Sequence, residues 1–312
     1  MKTAVLDLRF TVGPGPGQYI DLGQCLSLVN RRLYRQGYVY RVESFSWSPA
    51  DNSTQLLVGS IPTTWITYNA WVKAKALWAR MNRESGISYP KYHDFKVFMD
   101  IVHYTSMGTD SYQSVNLIPR DFGNALYTVT GAEWDYSQYV TPQAGGSSAA
   151  GENCCHMLGD DTATNNAALA TDGSHAVIQG YADTRVTVGL TEPNLPGDAS
   201  VSWQTELFDA GEVEVEVINH LETFNDHPPY AHGLDIQGGD DPIYPGGSGS
   251  CVNGQWCVDI ITTQGETTYA PGCDLPLGLM EVAPSSAGVL QVKVAPGRYN
   301  GAAAMAMAKV QT

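Results

Sequence analysis

Residues 5–12 read VLDLRFTV, with Leu6, Leu8 and Phe10 facing one way and Asp7, Arg9 and Thr11 the other. Strict alternation at period two marks a half-buried strand, because successive side chains of an extended chain point to opposite faces. A chain that starts so is building a sheet with one dry face. The following GPGPG at 13–17 breaks the strand. Its two prolines lack the N–H groups that a phosphate cradle needs, so the stretch reads as a bend.

Working outward, residues 38–47 (YVYRVESFSW), 54–61, 94–103 and 176–188 are rich in β-branched and aromatic residues and read as strands. The run EVEVEV at 212–217 alternates so regularly that one face should be buried and the other wet and acidic. The last firm strand is LQVKV at 290–294, closed by Ala295-Pro296-Gly297.

Helical spacing is confined to the first third. Asp21 is placed to cap a helix running to about Gln36, with Leu22, Cys25, Leu26, Val29 and Leu33 on one face and Gly37 to end it. Its other side carries Arg31, Arg32 and Arg35. A second helix is expected over about 68–82, where Trp71, Ala74, Trp78 and Met81 form an apolar stripe and Lys73, Arg80 and Arg83 share another face.

Stretches 141–172 and 225–249 are too long and polar for hairpin turns and read as surface insertions. No fixed-period repeat emerges. Of the 312 residues, 43% are apolar and 16% charged, with 32 Gly, 17 Pro and 17 Tyr, so a large core, many turns and many strands go together. The expectation is one all-β domain over 1–312: a β-sandwich of two antiparallel sheets with helical insertions and long surface loops, without a parallel α/β sheet.

Charge is divided along the chain. Residues 1–120 carry 13 Lys and Arg against 8 Asp and Glu, whereas residues 121–312 carry 4 against 24, within a total of −15. Such a chain can present a basic and an acidic face at once. The N-terminus is interrupted by Asp7 and Arg9 before a signal-peptide apolar region can form, and no apolar run approaches the about 18 residues of a membrane span. The Asn52-Ser53-Thr54 sequon is then accidental.

Six cysteines need weighing. Cys251 and Cys257 flank Asn253-Gly254, a strong hairpin signal whose two-residue turn would pair Cys251 with Trp256 and Ser250 with Cys257. Neither Cys154-Cys155-His156 nor the series Cys251, Cys257, Cys273 has zinc spacing. The spacing favours free thiols over a disulfide, and a disulfide over a metal.

No catalytic constellation assembles: there is no G-x-S-x-G elbow, Walker loop, H-E-x-x-H or Rossmann fingerprint. His220, His227 and His232 with Asp226 fall in a Pro- and Gly-rich stretch and read as loop residues. Asp160-Asp161 and Asp240-Asp241 lack the spaced ligands of a calcium loop, and no carboxylate pair stands out for glycoside hydrolysis. The reading is a non-enzyme, with no catalytic residue, metal or cofactor.

Several segments together, NRRLYRQGYVYRV (30–42), NAWVKAKALWARMN (69–82), YHDFKVFMD (92–100), HMLGDD (156–161), HAVIQGYADTR (175–185), NDHPPY (225–230) and VKVAPGRYNG (292–301), resemble capsid proteins of circular Rep-encoding single-stranded DNA viruses of environmental lineages. The resemblance implies a single eight-stranded jelly roll with variable outer loops. It implies copies of the chain itself as the main partner, in a small icosahedral virion assembled inside a host cell. It further implies a single-stranded DNA genome in the lumen, a host receptor or glycan outside, and no membrane.

The chain departs from many such proteins in lacking an arginine-rich N-terminal arm. Genome contact would then fall to Arg31, Arg32, Arg35, Lys73, Lys75, Arg80 and Arg83, through salt-sensitive phosphate contacts indifferent to base sequence. Two other readings stay open. One is a carbohydrate-binding jelly roll of lectin or glycoside hydrolase type, since sandwiches with Trp- and Tyr-bearing loops also bind sugars; the other is a structural interaction protein that is not viral.

Overall fold

A computed structural model describes residues 3–84, 92, 94–106, 116–127, 134–141, 151–159, 172–183, 254–263 and 265–310. The chain divides into two compact units, Met1–Tyr181 with Cys251–Thr312, and Ala182–Ser250. Only residues 182 and 183 of the second unit are described, and both main sheets belong to the first.

The opening alternation does what its pattern requires. In β1 (Asp7–Val12), Leu8, Phe10 and Val12 are buried and the residues between them exposed. The strand runs antiparallel to β12 (Gly288–Val294), with Phe10 opposite Leu290. Beyond β12 lies β3 (Tyr38–Pro49), and along the far side of β3 lie β9 (Thr268–Pro271) and the two-residue β10 (Asp274–Leu275), end to end. After the short β13 (Pro296–Tyr299), β14 (Ala304–Ala306) continues the β12 side of β3. This first sheet is four strands wide.

The second sheet reads β2 (Gln18–Asp21), β11 (Leu279–Pro284), β4 (Thr54–Ser60), β8 (Gln255–Thr262), every neighbour antiparallel. One apolar cluster joins the sheets: Leu8, Phe10, Phe45, Trp47 and Leu290 of the first meet Ile20, Leu56, Val58, Ile260 and Val282 of the second. Trp47 is fully buried and its indole N–H reaches Thr54 Oγ1 at 3.4 Å, which gives the polar end of the ring a partner. Gly288 makes room for that ring, since a Cβ there would stand 2.5 Å from Trp47.

The short connections 13–17, 50–53 and 285–287 gather at one end with residues 265–267; Gly15 N–H donates to Pro284 O at 2.9 Å and Ala50 N–H to Ala287 O at 2.9 Å, and Gly265 lies against Asn52. The larger additions leave the other end. Helix α1 (Leu22–Asn30) joins β2 to β3, and residues 61–254 separate β4 from β8. That insertion holds α2 (Trp65–Glu84), α3 (Ile101–Thr105), β5 (Tyr139–Thr141), β6 (Gly151–His156), β7 (Asp172–Ala176) and α4 (Val177–Asp183). In α2 the predicted stripe is the packed one, with Trp71 and Trp78 buried against Phe95. No helix among the described residues is long and apolar enough to cross a membrane.

Several expectations are corrected. The fold is mixed rather than all-β: two antiparallel sheets carry it, with helices also beyond the first third and, among the described strands, a parallel pair, β6 with β7. Helix α1 ends at Asn30, not Gln36, because Arg31 turns left-handed at φ 49° and Ser27 Oγ accepts the Tyr34 N–H at 2.8 Å, folding the chain back to bury Tyr34. Residues 94–103 are not one strand, since the Asp100 carboxylate accepts the His103 N–H at 2.7 Å and starts α3.

Residues 177–183 are helical because Val177, Ile178 and Tyr181 bury one face at helical spacing. Within 141–172, β6 is no surface loop: it is the middle strand of its sheet, and Cys154 and His156 are fully buried. The run 212–217, the stretch 225–249 and the turn at 251–253 lie outside the described residues.

Candidate functional site

The first concentration of chemistry is a buried polar joint between the sandwich and its insertion. Asp21 caps α1, accepting the N–H of Gly23 at 2.8 Å and of Gln24 at 3.3 Å, and its other oxygen accepts Gln36 Nε2 at 3.0 Å and Trp134 Nε1 at 3.1 Å. Burial pushes this carboxyl up to about 6, while those four donors hold it from going higher. The Gln36 amide then pairs with Val97 as a strand would, accepting its N–H at 2.7 Å and donating to its carbonyl at 3.0 Å.

Beside it, the Tyr19 hydroxyl donates to Asp100 at 2.8 Å and its ring stacks on His103 at 4.2 Å. His103 Nδ1 accepts the Met99 N–H at 3.1 Å, so the ring proton sits on Nε2, 2.8 Å from Asn116 Oδ1. Asn116 donates in turn to Gln24 and to the Tyr136 hydroxyl, both at 2.9 Å. Burial lowers the imidazole to about 4. Every group in this network is held by another, which fits a structural joint better than a reactive centre.

The basic residues singled out in the sequence occupy separate settings. Arg31 and Arg32 are exposed after α1, where Arg32 donates to Thr3 O at 3.2 Å. Arg35 pairs with the buried Asp94 at 3.4 Å. Lys75 lies over Trp71 at 4.7 Å, next to Gly37, and so near the Arg35 segment. Lys73 lies over Tyr181 at 5.6 Å, with Arg80 and Arg83 exposed further along α2. Lys96, which the sequence did not single out, is drawn inward over Trp134 at 4.9 Å, its ammonium lowered by burial.

The third place is the edge where the sheets come together at β8 and β9. A cavity of about 900 Å³ lies there, walled by Arg41, Trp256, Cys257, Cys273, Asp274 and Met305. Arg41 and Asp274 pair at 3.0 Å. Trp256, Ile261, Tyr269 and Met305 are exposed on this side. On the opposite edge, beyond β1, Arg120 N–H donates to Arg9 O at 2.7 Å and carries a tight turn whose tip, Phe122, is fully exposed.

That turn is braced: Asn124 sits at φ 63°, and Asp121 Oδ1 accepts the Ala125 N–H at 2.8 Å. Neither edge was visible in the sequence, because a single exposed aromatic leaves no period. Among the described residues no group of three His, Cys, Asp or Glu is placed to hold a metal. His220, His227, His232, Asp226, Asp160-Asp161 and Asp240-Asp241 lie outside the described residues. No protein-family model, curated protein or solved structure matches the chain.

Proposed function

We propose that the chain is a capsid protein built on a single jelly roll, which assembles into a small icosahedral shell around a single-stranded DNA genome. Strand order carries this reading. With β9 and β10 counted as one, and the strands of the insertion and the β13–β14 extension set aside, the sandwich strands number one to eight along the chain. The first sheet then reads 1-8-3-6 and the second 2-7-4-5. Pairs 1-8, 2-7, 3-6 and 4-5 are those of one long folded-back ribbon rolled into two sheets, the arrangement of viral shell and lectin domains.

The exposed edges support self-association. Phe122 and the Trp256 cavity lie on opposite sides of the sandwich, so a contact between them joins copies head to tail, the kind of interface that closes rings when its rotation permits. Arg31, Arg32, Arg35, Lys73, Lys75, Arg80 and Arg83 are assigned to the lumen, where a packaged polyanion attracts them, and the acidic loops after residue 121 to the exterior. A sugar-binding jelly roll has the same strand order, and Trp256 beside the cavity is the ring it would use. Sedimentation velocity decides between them: megadalton particles support the shell, and a small species that shifts on a glycan array supports the lectin.

A further inference from the structure

We propose that Cys257 and Cys273 are a thiol pair that closes to a disulfide, joining the two sheets at their common edge, when the folded chain meets a small-molecule disulfide such as oxidised glutathione. Cys257 belongs to β8, the outermost strand of the second sheet, and Cys273 lies between β9 and β10, the outermost strands of the first. The two thiols stand close enough to act on each other's proton, and Cys257 Sγ lies 3.2 Å from Val58 O, to which it donates as a thiol. Both wall the same cavity and both are half-buried, so a small oxidant reaches them, whereas Cys25, Cys154 and Cys155 are buried. Both lie at set places in the fold: Cys257 is the bulge residue of β8, between Val258 opposite Val58 and Trp256 opposite Gly59, and the Cys273 carbonyl accepts the Val42 N–H at 2.9 Å.

The two thiols are unequal. The Cys273 thiol beside it brings Cys257 down to about 7, and the Cys257 neighbour together with burial pushes Cys273 up. Cys257 is therefore the thiolate that attacks first. Its sulfur bonds to one sulfur of oxidised glutathione and expels the other half as glutathione thiolate. Cys273 then gives up its proton and attacks the Cys257 sulfur, expelling the second glutathione. Two protein thiols are oxidised and one glutathione disulfide is reduced to two thiols.

The purpose of the bond rests on the shell reading. Subunits made in a reducing cytoplasm assemble with the edge unstapled, and released particles in oxidising surroundings acquire the staple. Its existence does not depend on that reading, because it is tested on unassembled chain.

The full chain is treated with oxidised glutathione, residual thiols are alkylated, and disulfide-linked peptides are mapped by mass spectrometry. The expected result is one intramolecular Cys257–Cys273 link, loss of two hydrogen atoms from the intact mass, and a melting temperature about 5 °C or more above the dithiothreitol-treated chain. Cys257→Ser and Cys273→Ser each remove the link and the shift. Alkylation of both thiols after treatment, glutathione left attached to Cys257, or a link to another cysteine would overturn the proposal, and wild-type mapping alone suffices if a variant fails to fold.

Discussion

The indole N–H of Trp134 donates to the carboxylate of Asp21 at 3.1 Å, so the residue that caps α1 also anchors a segment of the long insertion. The carboxylate meets donors on both oxygens. Asp21→Asn would turn an NH2 group towards Gln36 and Trp134, donor facing donor, in a fully buried place. The expected loss is about 2–4 kcal/mol of unfolding free energy, measured by denaturant titration. A variant as stable as the parent would show that the joint does not depend on the carboxylate.

Acid should loosen the same joint through His103. An unfolded imidazole titrates near 6.5, whereas in the folded chain burial lowers it to about 4. On acidification the unfolded state therefore takes up the proton first. The stability that neutral His103 supplies is complete above about pH 6.5 and is lost as pH falls from there to about 4. Asp21, raised to about 6, works oppositely, costing stability as pH rises through that value. His103→Gln should therefore lose less stability than the parent between pH 6.5 and 4, by up to about 3 kcal/mol. Parallel urea-midpoint curves would contradict this.

If Phe122 and the Trp256 cavity are two halves of one contact, each can be broken alone. Phe122→Glu and Trp256→Glu should each leave a folded subunit by circular dichroism that forms no particles. An equimolar mixture should give dimers, because one intact knob then meets one intact cavity, and nothing larger. Normal particles from either variant would remove these edges from the interface.

Genome contact is tested by replacing Arg31, Arg32, Arg80 and Arg83 together with Gln, keeping Arg35 because it pairs with Asp94. Intact particles should hold less nucleic acid, and its retention should depend less steeply on salt, by about one unit of slope for each phosphate no longer neutralised. Unchanged content across a salt series would show that these arginines do not hold the genome.

Legibility in the sequence followed local physics. The strands at 7–12, 38–49, 54–60 and 288–294, the Asp21 cap and the Trp71–Trp78 stripe all follow from period and capping chemistry. What escaped depends on partners far away in the chain. Residues 101–105 turn helical because Asp100 finds a backbone N–H to accept, and β6 is buried because it lies between β5 and β7. The Tyr19–Asp100–His103–Asn116 network joins residues almost a hundred positions apart, a spacing with no period to betray it. Cys257 and Cys273 have no pairing signal in the sequence for the same reason, since only the folding of β8 against β9 sets them together.

The central claim, that this sandwich is the unit of a closed shell, is met most directly by electron microscopy of the purified chain at high concentration. Uniform spheres whose reconstruction shows icosahedral symmetry, with subunit interfaces burying more than about 1,000 Å² each, are the expected result. A chain that stays a monomer across salt and pH would contradict the account.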